Sequence, residues 1–460
     1  MDQTPFRDRK REHGQTIILV ALSMTALLAM AAISIDVVTL YVARSEAQHA
    51  AEAAALAGAK AFVTSGYTSG FVANTTLCSG GTGLAELQAQ AAAIQNNIAG
   101  VVPTIFWAGS SCDLTTYPEN PRITIQVQRT GLPLFFAKIW NVAAPTVTAT
   151  ATAEAYNPSG GPAPIQVSGV KPWLVPNCPP SASVGANPNC NTPYFIDQTN
   201  AQGKGFGSIA NNGAFIGTTI TLVLPQQSGD LTGGTNTQLY FYPLAIPISP
   251  PTPSCPASSQ PSCSLVGNGP FFDNIACANP FQLVAGQPVG GGQTVQIDSR
   301  LSSGSGSPSW GQLQSRMDQG TQCLIHASGS SGPITSCSPR QYAQDCFAPQ
   351  AAGDPILISP GFSQPDPSLL NASYISRSDS VVTVPLFDGS NLCPLGKNQP
   401  CTGTANIQGF LQLGITRDEG NGTVEAIILN ASGWNLNSTG TAVSGGDVSS
   451  IPVRLVRSGG

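Results

Sequence analysis

Nucleophilic catalysis by serine is the first chemistry that the sequence could support, because serines follow the only histidine beyond residue 49. His326 lies in CLIHASGSSG, close to Ser328 and Ser330, and a distant aspartate could complete a Ser-His-Asp triad. Neither serine stands in the G-x-S-x-G pattern that holds a nucleophile on a strained turn. We therefore expect His326 to be a surface or hydrogen-bonded core residue, and we predict no catalytic residue.

Metal and cofactor sites are the next chemistry to consider. Oxygen-bearing side chains cluster in Asp418–Gly422, but the alternating D-x-[DN]-x-[DN]-G of a calcium loop is absent. The glycine run Gly290–Gly292 has neither the spacing nor the lysine of a phosphate-binding loop. We predict no metal site and no cofactor, and a hairpin turn explains Asp418–Gly422 better than a calcium site does.

All twelve cysteines lie C-terminal to an apolar segment near the start of the chain. An even number on one side of a membrane span indicates disulfides in an oxidising compartment. Zinc binding is the alternative, but no pair has C-x-x-C spacing and the chain has 3 histidines. Short loops favour the local pairs Cys178–Cys190, Cys255–Cys263 and Cys393–Cys401, and the pairing of the others stays open: Cys78, Cys112, Cys277, Cys323, Cys337 and Cys346.

The composition agrees with a protein that works outside the cytoplasm. Charged residues make up 9% of the chain, against about 25% in an average globular protein. There are 49 glycines and 38 prolines, yet the hydrophobic fraction is 41%, enough for packed cores. The net charge of −5 gives no electrostatic basis for binding nucleic acid. We expect a loop-rich extracytoplasmic β protein.

The segment Thr16–Ile35 has the composition of a membrane anchor that could carry such a domain. Its sequence, TIILVALSMTALLAMAAISI, would form about 30 Å of helix, enough to cross a bilayer core. Residues 1–15 contain four basic side chains, and no further basic residue occurs before Arg44. This asymmetry predicts a cytoplasmic N-terminus and an outward location for everything after residue 35.

Two other interpretations of this segment compete with an anchor. A secretory signal peptide could be cleaved after Ala31, following the Ala29-Met30-Ala31 site. A type IV prepilin leader would end at Gly14, but the fifth residue after it is Leu19 where prepilins have glutamate. Because the apolar pattern continues to Val42, we predict an uncleaved single-pass anchor.

The helix does not stop at the end of the apolar span. No proline occurs between Thr16 and Phe62, and alanines recur at three- and four-residue intervals opposite polar positions. We predict one helix over Thr16–Phe62, roughly 70 Å long at 1.5 Å per residue. Within the span, Ala21, Thr25 and Ala29 form a small-residue ridge that could admit a second helix. The result is a pilin-like rod.

The ordered residues of this rod resemble the N-terminal domain of the TadG-like proteins of Flp/Tad pilus assembly. That family has roughly the pattern D-x-G-x-L-Y-x-x-R-x-x-x-Q-x-A-A-D-A-A-A-L-A-G. This chain has Val38 for the glycine and Glu52 for the second aspartate, which keeps the carboxylate. The resemblance covers about residues 14–62, more weakly to 156, and rests on Gly14, Asp36, Leu40, Tyr41, Arg44, Gln48, Ala51, Leu56 and Gly58.

This resemblance implies a single-pass protein of the bacterial inner membrane in a tight-adherence pilus system. The implied partners are membrane lipid, other Tad pilus-assembly proteins or pilin-like helices, and extracellular surfaces. Some family members carry a von Willebrand A-type domain with a D-x-S-x-S metal motif, which Asp298–Ser302 does not match. No metal is therefore carried over.

The predicted fold class is α+β. It comprises a long transmembrane and amphipathic pilin-like helix with a small α+β module, and then a mainly antiparallel, disulfide-braced β domain. The predicted organisation is a cytoplasmic leader (1–15), a transmembrane helix (16–35), a stalk and module (36–156), a Gly/Pro/Ser linker (157–166) and an extracytoplasmic domain (167–460). The module should contain helix Leu84–Ala99, strands Arg122–Arg129 and Thr146–Tyr156, and a short apolar helix in LPLFFAKIW.

Short strands joined by Pro/Gly loops predict a sandwich-like outer domain. Asn421-Gly422 between two strand-like arms predicts a hairpin with a type I′ turn, and helices are expected at Ser309–Asp318 and Pro339–Phe347. The predicted strands are Phe215–Leu224, Leu239–Ile248, Thr294–Ile297, Pro355–Ser359, Val381–Phe387, Phe410–Arg417, Thr423–Asn430 and Ile451–Val456.

These features favour a structural role in pilus assembly over two alternatives. One alternative is an anchored or secreted hydrolase that shares only the targeting helix and depends on His326. The other is an adhesin or glycan-binding module released by cleavage after Ala31.

Overall fold

A computed structural model describes most of the chain from residue 12 onward. The described residues are 12–70, 77–116, 120–158, 163–178, 195–197, 213–225, 238–248, 263, 269–303, 308–327, 334, 336–349, 355–390, 392–393, 401–433, 443–444 and 449–457.

The chain divides into two compact units. The first consists of Met1–Ala54, Gln90–Ser111 and Thr124–Ala151, and the second consists of Ala55–Ala89, Cys112–Ile123 and Thr152–Gly460. The domain ranges given above stay a prediction. Within the expected linker 157–166, residues 159–162 lie outside the described part, and Ile165 and Gln166 already belong to a strand.

The first element is one uninterrupted helix, α1, which runs from Glu12 to Thr64. Its 53 residues correspond to about 80 Å at 1.5 Å per residue. The prediction of a continuous helix over Thr16–Phe62 is confirmed. The helix can continue because it contains no proline, and its two glycines lie near its ends, at 14 and 58.

The remaining elements are short and separated by turn-rich loops. The other helices are α2 Leu84–Ala93, α3 Pro270–Ala276 and α4 Pro308–Leu324, with short 3₁₀ helices at Tyr67–Ser69, Trp107–Gly109, Ala137–Trp140 and Ser299–Ser303. The strands are β1 Thr104–Ile105, β2 Ser111–Asp113, β3 Arg122–Arg129, β4 Val147–Ala155, β5 Ile165–Val167, β6 Trp173–Pro176, β7 Thr219–Val223, β8 Gln238–Tyr240, β9 Tyr242–Ala245, β10 Leu283–Val284, β11 Pro288–Gly290, β12 Gln296–Ile297, β13 Cys346–Pro349, β14 Ile356–Ser359, β15 Val381–Phe387, β16 Thr404–Asn406, β17 Gly409–Gly420, β18 Thr423–Gly433, β19 Val443–Ser444 and β20 Val453–Val456.

A five-stranded sheet follows α1 along the chain, in the order β1-β3-β4-β20 with β2 also pairing with β3. The alternating burial of β3 is that of a strand with one face on a core. The last strand of the chain, β20, joins this sheet: its residues 453–456 pair antiparallel with residues 152–155 of β4. Glu154 is buried on β4 and accepts hydrogen bonds from Arg122 and Arg454 at 3.0 and 2.8 Å, so its charge is paired.

The largest sheet has eight strands in the order β12-β9-β6-β15-β17-β18-β7-β8. Strands β8 and β9 are separated only by Phe241, yet β8 pairs with β7 and β9 pairs with β6. The Phe241 N–H donates to Val223 on β7, whereas the Leu244 N–H donates to Pro172 beside β6. The two neighbours therefore lie on opposite edges of one β8–β9 strand, and the sheet closes into a six-stranded barrel of β6, β15, β17, β18, β7 and β8–β9.

The barrel replaces the two facing sheets that the strand pattern predicted. Closure removes free sheet edges between the six strands, which a sandwich would leave exposed. Two neighbouring pairs, β6–β15 and β7–β8, are parallel and the other pairs are antiparallel. The core holds large aromatic side chains, among them Trp173 against Phe241 at 6.1 Å and Tyr242 against Phe387 at 5.6 Å between ring centroids. The predicted α+β class with a mainly antiparallel outer domain is confirmed.

The hairpin predicted at Asn421-Gly422 is confirmed. Gly420 pairs with Thr423 across a two-residue loop, and the φ angles of Asn421 and Gly422 are 57° and 72°, as a type I′ turn requires. Helix α4 supports the turn, because the Asp318 carboxylate accepts hydrogen bonds from the N–H groups of Asn421 and Gly422 at 3.0 and 2.8 Å. Burial raises the pKa of Asp318 to about 6.

The predicted helices have mixed outcomes. Ser309–Asp318 lies within α4, and Leu84–Ala99 contains α2, which ends at Ala93. The helix predicted at Pro339–Phe347 is wrong: turns lead there into β13, which pairs with β14. The Cys337–Cys346 disulfide closes this stretch on itself and leaves no room for helical turns.

Four disulfides join described cysteines: Cys78–Cys112, Cys263–Cys323, Cys337–Cys346 and Cys393–Cys401. The last is one of the short-loop pairs expected from the sequence, but the expected pair Cys255–Cys263 is wrong. Cys263 is bonded to α4 instead, because α3 and α4 pack together and bring Cys323 into a small apolar cluster with Cys263. Cys178 and Cys277 are also disulfide-bonded, and Cys190 and Cys255 lie outside the described residues.

Candidate functional site

The N-terminal half of α1 is apolar on every side and is not covered by the rest of the chain. Ile17, Leu27 and Val38 expose 69%, 63% and 57% of their surface. Among the described residues, α1 is the one helix long and apolar enough to cross a membrane, with a mean hydropathy of 2.4 in its most apolar window. This half of α1 is therefore consistent with a single-pass membrane anchor.

Between Asp36 and Ala54, α1 buries one narrow stripe, whereas most residues from Gly58 to Thr64 are buried. The stripe starts at Asp36 and continues through Ala43, Ala47, Ala50 and Ala54, each no more than 4% exposed. Their spacings of seven, four, three and four residues place them on one face of a helix. Small side chains in this stripe permit close approach of the backbone of α1 to its neighbours.

Asp36 is the one charged residue in that stripe, and it binds a loop a hundred residues further along the chain. Its carboxylate accepts hydrogen bonds from the backbone N–H groups of Phe135, Phe136 and Ala137 at 2.8, 3.1 and 2.6 Å. These groups begin the 3₁₀ helix Ala137–Trp140, whose free N–H groups would otherwise lack partners. The buried charge is thus compensated by charge-assisted hydrogen bonds, and the loop is fixed beside the point where the apolar span ends.

A second carboxylate on α1 holds another loop of the first unit. Glu46 accepts a hydrogen bond from the Ala99 N–H at 2.7 Å, and Ala99 has a left-handed backbone with φ 47°. A non-glycine residue in this conformation costs about 1–3 kcal/mol, which the contact with Glu46 offsets. Gln48, one of the family-pattern residues, donates to Glu52 one turn later at 2.8 Å.

Gly58 allows α1 to pack closely inside the second unit. A Cβ atom at this position would lie 2.8 Å from Ile123 Cδ1 and 3.0 Å from the Ala85 carbonyl oxygen. The first distance is shorter than real Cβ atoms show and the second is tighter than most, so a larger residue would force the Ile123 side chain and the Ala85 backbone to shift. This gives the glycine of the family pattern a packing reason.

The structure places the nine family-pattern residues along α1 but does not gather them into one site. Asp36, Ala51 and Gly58 are buried, whereas Tyr41 is 75% exposed and Arg44 is also exposed. The remaining three with described side chains, Leu40, Gln48 and Leu56, are half-buried, and Gly14 lies in the first turn of α1. The pattern thus describes a rod with one packed face and one open face.

The end of α1 is joined to the barrel by buried polar side chains of the second unit. Asn430 on β18 donates hydrogen bonds to the Val63 carbonyl at 2.8 Å and to Thr68 Oγ1 at 2.7 Å. Asn157 donates to the Thr68 carbonyl at 2.6 Å. Both asparagines and Thr68 are at most 2% exposed, so these hydrogen bonds lie where water does not compete for them.

Two further contacts complete this helix–barrel junction, which consists of residues 63–69, Asn157, Ile356 and residues 430–431. The Ser69 hydroxyl donates to the Ala431 carbonyl at 3.1 Å, and the Ala431 N–H donates back to it at 2.9 Å. The Ile356 N–H donates to the Ser65 carbonyl at 3.2 Å. Within the second unit, this network of paired polar groups holds residues 63–69 to β18.

His326 forms a pair with an aspartate, and no serine completes a triad within the described residues. Its Nε2 lies 2.9 Å from Asp379 Oδ2, whereas Nδ1 is buried and has no hydrogen-bond partner among the described residues. A serine protease-like site needs the nucleophile at the second nitrogen. Ser328 and Ser330, the serines considered from the sequence, lie outside the described residues.

Other buried charges surround this pair. The Lys171 ammonium donates to the Cys277 carbonyl at 3.0 Å; burial lowers its pKa to about 7, and the negative charge of Asp379 opposes this shift. Burial raises the pKa of Asp345, against the hydrogen bonds that it accepts from Gly361 N–H and Ser378. An open cleft beside Asp379 is lined by Gln364, Asp366, Leu369, Arg377 and Ser378. Within the described residues, no group of three or more His, Cys, Asp or Glu could hold a metal ion.

Comparison with known families concerns α1. Residues 14–61 match the family model described as putative Flp pilus-assembly TadE/G-like. The N-terminal region is TadG-like. The matched residues begin in the first turn of α1 and end in its last turn, so the TadG-like segment is the rod itself, and it relates the chain to Flp/Tad pilus assembly. Neither a curated protein nor a solved structure matches the chain.

Two groups of residues in these sites were not found from the sequence. The loop bound by Asp36 was predicted only as a short apolar helix, although an aspartate directly after an apolar span and an aromatic run in LPLFFAKIW were visible signals. The helix–barrel junction had no such signal, because asparagine and serine are common throughout this chain and only the fold selects Asn157 and Asn430.

Proposed function

We propose that this chain is a membrane-anchored structural component of Flp/Tad pilus assembly, with an uncleaved N-terminal anchor and no catalytic role. The observation that carries the proposal is the coincidence of the TadG-like segment 14–61 with one unbroken helix. The N-terminal half of that helix is apolar and exposed among the described residues, and its last residues contact the barrel through hydrogen bonds such as that from Asn430 to Val63. Such a helix can anchor a folded domain to a membrane.

The proposed orientation places the barrel outside the cytoplasm of a bacterial inner membrane. Arg7, Arg9, Lys10 and Arg11 precede the span, and basic residues are retained on the cytoplasmic side. The disulfides support the same orientation, because disulfides persist in oxidising compartments outside the cytoplasm. The partners proposed for the exposed apolar helix are lipid and the helices of other Tad pilus-assembly proteins.

Replacing the anchor without disturbing the packed helix tests this proposal. Residues 1–35 are exchanged for a cleavable signal peptide, so that the buried stripe from Asp36 onward is kept and the barrel is exported in soluble form. We expect loss of membrane retention and of pilus assembly in a deletion strain. Full restoration of pili by the soluble protein would contradict the proposal.

A matched control separates anchoring from specific helix contacts. Residues 16–35 are replaced by an unrelated transmembrane helix of equal length that lacks the small residues at 21, 25 and 29. Retention in the membrane with normal pili would indicate that lipid anchoring suffices. Retention without pili would indicate that the span also packs against helices of the assembly machinery. Either result keeps the structural role, and the first also excludes a specific partner for this span.

A further inference from the structure

The loop 131–142, with sequence GLPLFFAKIWNV, exposes apolar side chains next to the end of the span. Phe135 exposes 61% of its surface and Val142 exposes 51%, and Lys138 is exposed between them. We call residues 131–142 the interfacial loop. Exposed apolar side chains grouped in one loop, rather than scattered singly, mark an interaction surface.

The position of the interfacial loop relative to α1 identifies the partner of this surface. Asp36 follows the twenty-residue apolar segment 16–35 directly, and its carboxylate is within 2.8 Å of Phe135 N and 2.6 Å of Ala137 N. Both the loop and Asp36 belong to the first unit. If residues 16–35 cross a bilayer, the loop is therefore held at the depth where the helix leaves the hydrocarbon.

The chemistry of the loop suits this depth. Aromatic side chains are enriched at the boundary between hydrocarbon and head groups. Lysine places its alkyl chain on apolar surface and its ammonium among phosphates. The Asp36 carboxylate pairs the backbone N–H groups at the start of the 3₁₀ helix, so that this backbone can approach the apolar region without unpaired donors.

We propose that the interfacial loop docks on the surface of the lipid bilayer and gives the rod a second contact with the membrane, with Asp36 as the positioning residue. A single helix can tilt and rotate in lipid. A second contact, held to the helix through Asp36, restricts the rotation of the helix about its own axis. This inference rests on the anchoring part of the proposed function.

Depth-dependent fluorescence tests the proposal on the full-length protein in lipid nanodiscs. All described cysteines are disulfide-bonded, so a single introduced cysteine can carry an environment-sensitive NBD label. Three variants are compared: Leu27→Cys within the span, Phe135→Cys in the interfacial loop, and Phe362→Cys on the second unit. Phe362 is the matched control because it is 58% exposed, against 61% for Phe135.

The expected result is a graded one. The label at 27 should be quenched by lipids carrying a nitroxide deep in the acyl chain, and the label at 135 by nitroxides near the head group. The label at 362 should emit as in water and show no quenching by either lipid. In discs that hold one copy of the protein, the label at 135 should still be quenched by nitroxides near the head group.

Each contrary outcome has a defined meaning. No quenching at 27 would overturn the anchor and with it the proposed function. Quenching at 27 with a water-like label at 135 would overturn the lipid contact alone. A protected label at 135 that appears only in discs with several copies would assign the interfacial loop to a second chain and overturn the lipid proposal.

The positioning role of Asp36 has its own readout. With the label at 135, Asp36→Ala should reduce quenching by the head-group nitroxide several-fold, whereas quenching at 27 should not change. Asp36→Asn keeps one acceptor oxygen, so part of the head-group quenching at 135 should remain in this variant. Equal quenching at 135 in all three backgrounds would show that Asp36 does not position the loop.

Discussion

The helix–barrel junction makes a quantitative prediction through Asn430. This side chain donates to the Val63 carbonyl at 2.8 Å and to Thr68 Oγ1 at 2.7 Å, and it is fully buried. Asn430→Ala removes both donors. The Val63 carbonyl loses one of its two hydrogen-bond donors, and β18 loses one of its contacts with residues 63–69.

The size of the effect follows from these two hydrogen bonds. An intramolecular hydrogen bond contributes about 0.5–1.5 kcal/mol to stability. The Val63 carbonyl keeps the hydrogen bond that it accepts from the Gly66 N–H at 3.2 Å, so it is not left without a partner. We expect Asn430→Ala to lower the free energy of unfolding by about 1–3 kcal/mol through the two lost hydrogen bonds. Asn406→Ala is the matched control, because Asn406 is exposed on β16 and such surface changes cost within about 0.5 kcal/mol.

Two measurements on the full-length, oxidised protein in nanodiscs check the prediction. Urea unfolding gives the stability of the second unit, and hydrogen exchange reports the backbone amides of residues 65–69. Asn430→Ala should lower the urea midpoint and accelerate exchange in that segment, whereas Asn406→Ala should do neither. If the two variants had equal midpoints and equal exchange at 65–69, the junction would not hold the rod to the barrel.

Three further predictions concern packing, pH and disulfides. Gly58→Ala should lower the free energy of unfolding by about 1–3 kcal/mol through overpacking. Adding Ile123→Val should recover part of this loss, because the nearest clashing atom is Ile123 Cδ1. If the double variant were no more stable than Gly58→Ala alone in urea unfolding, the contact would be contradicted. Burial raises the pKa of Asp318 from 3.8 to about 6, so the folded state binds the proton more tightly than the unfolded chain. Stability should therefore fall as pH rises from about 4 to 6 and then level off, and Asp318→Asn should flatten this dependence, as urea midpoints across that range would reveal; an unchanged slope would refute the assignment. Replacing Cys78 and Cys112 together by serine opens a loop with a sequence separation of 34 and should cost about 2–5 kcal/mol, and an unchanged melting temperature would count against the bond.

The rod and most strands could be predicted because local patterns dominate them. In α1, the absence of proline and the three- and four-residue alanine spacing predict a helix over Thr16–Phe62. The structure extends this helix only to Glu12 and Thr64, a total of 53 residues. Strands β3 and β15 begin and end at the predicted residues, Arg122–Arg129 and Val381–Phe387. The hairpin was predictable because Asn-Gly accepts positive φ angles at low cost.

The errors arise where distant parts of the chain decide the outcome. Closure of the barrel depends on the single residue Phe241 changing the strand's partner from β7 to β6, which no periodicity reveals. Cys263 pairs with Cys323 across 60 residues because two helices pack together. Helix α3, Pro270–Ala276, was not predicted, although a proline at its first turn and apolar residues one turn apart were available signals.

The candidate site divides in the same way. The anchor and its residue Asp36 follow from the sequence, because a carboxylate directly after an apolar span is unusual and stands in a recognisable pattern. Its partner loop could not be predicted, since hydrogen bonds from Phe135 and Ala137 to Asp36 join residues about a hundred positions apart. The pairing of His326 with Asp379 was likewise invisible, because nothing local distinguishes Asp379 from other aspartates.

The central claim is that residues 16–35 remain on the mature protein as an anchor while the cysteines behind them are oxidised. Intact-mass measurement of the protein from carbonate-washed membranes, alkylated without reduction, tests both parts together. We expect the measured mass to be that of a full-length chain that retains its basic leader and carries no alkylated thiol. A chain that begins at Ala32 or Gln15, recovery in the soluble fraction, or alkylation of the cysteines before reduction would contradict it.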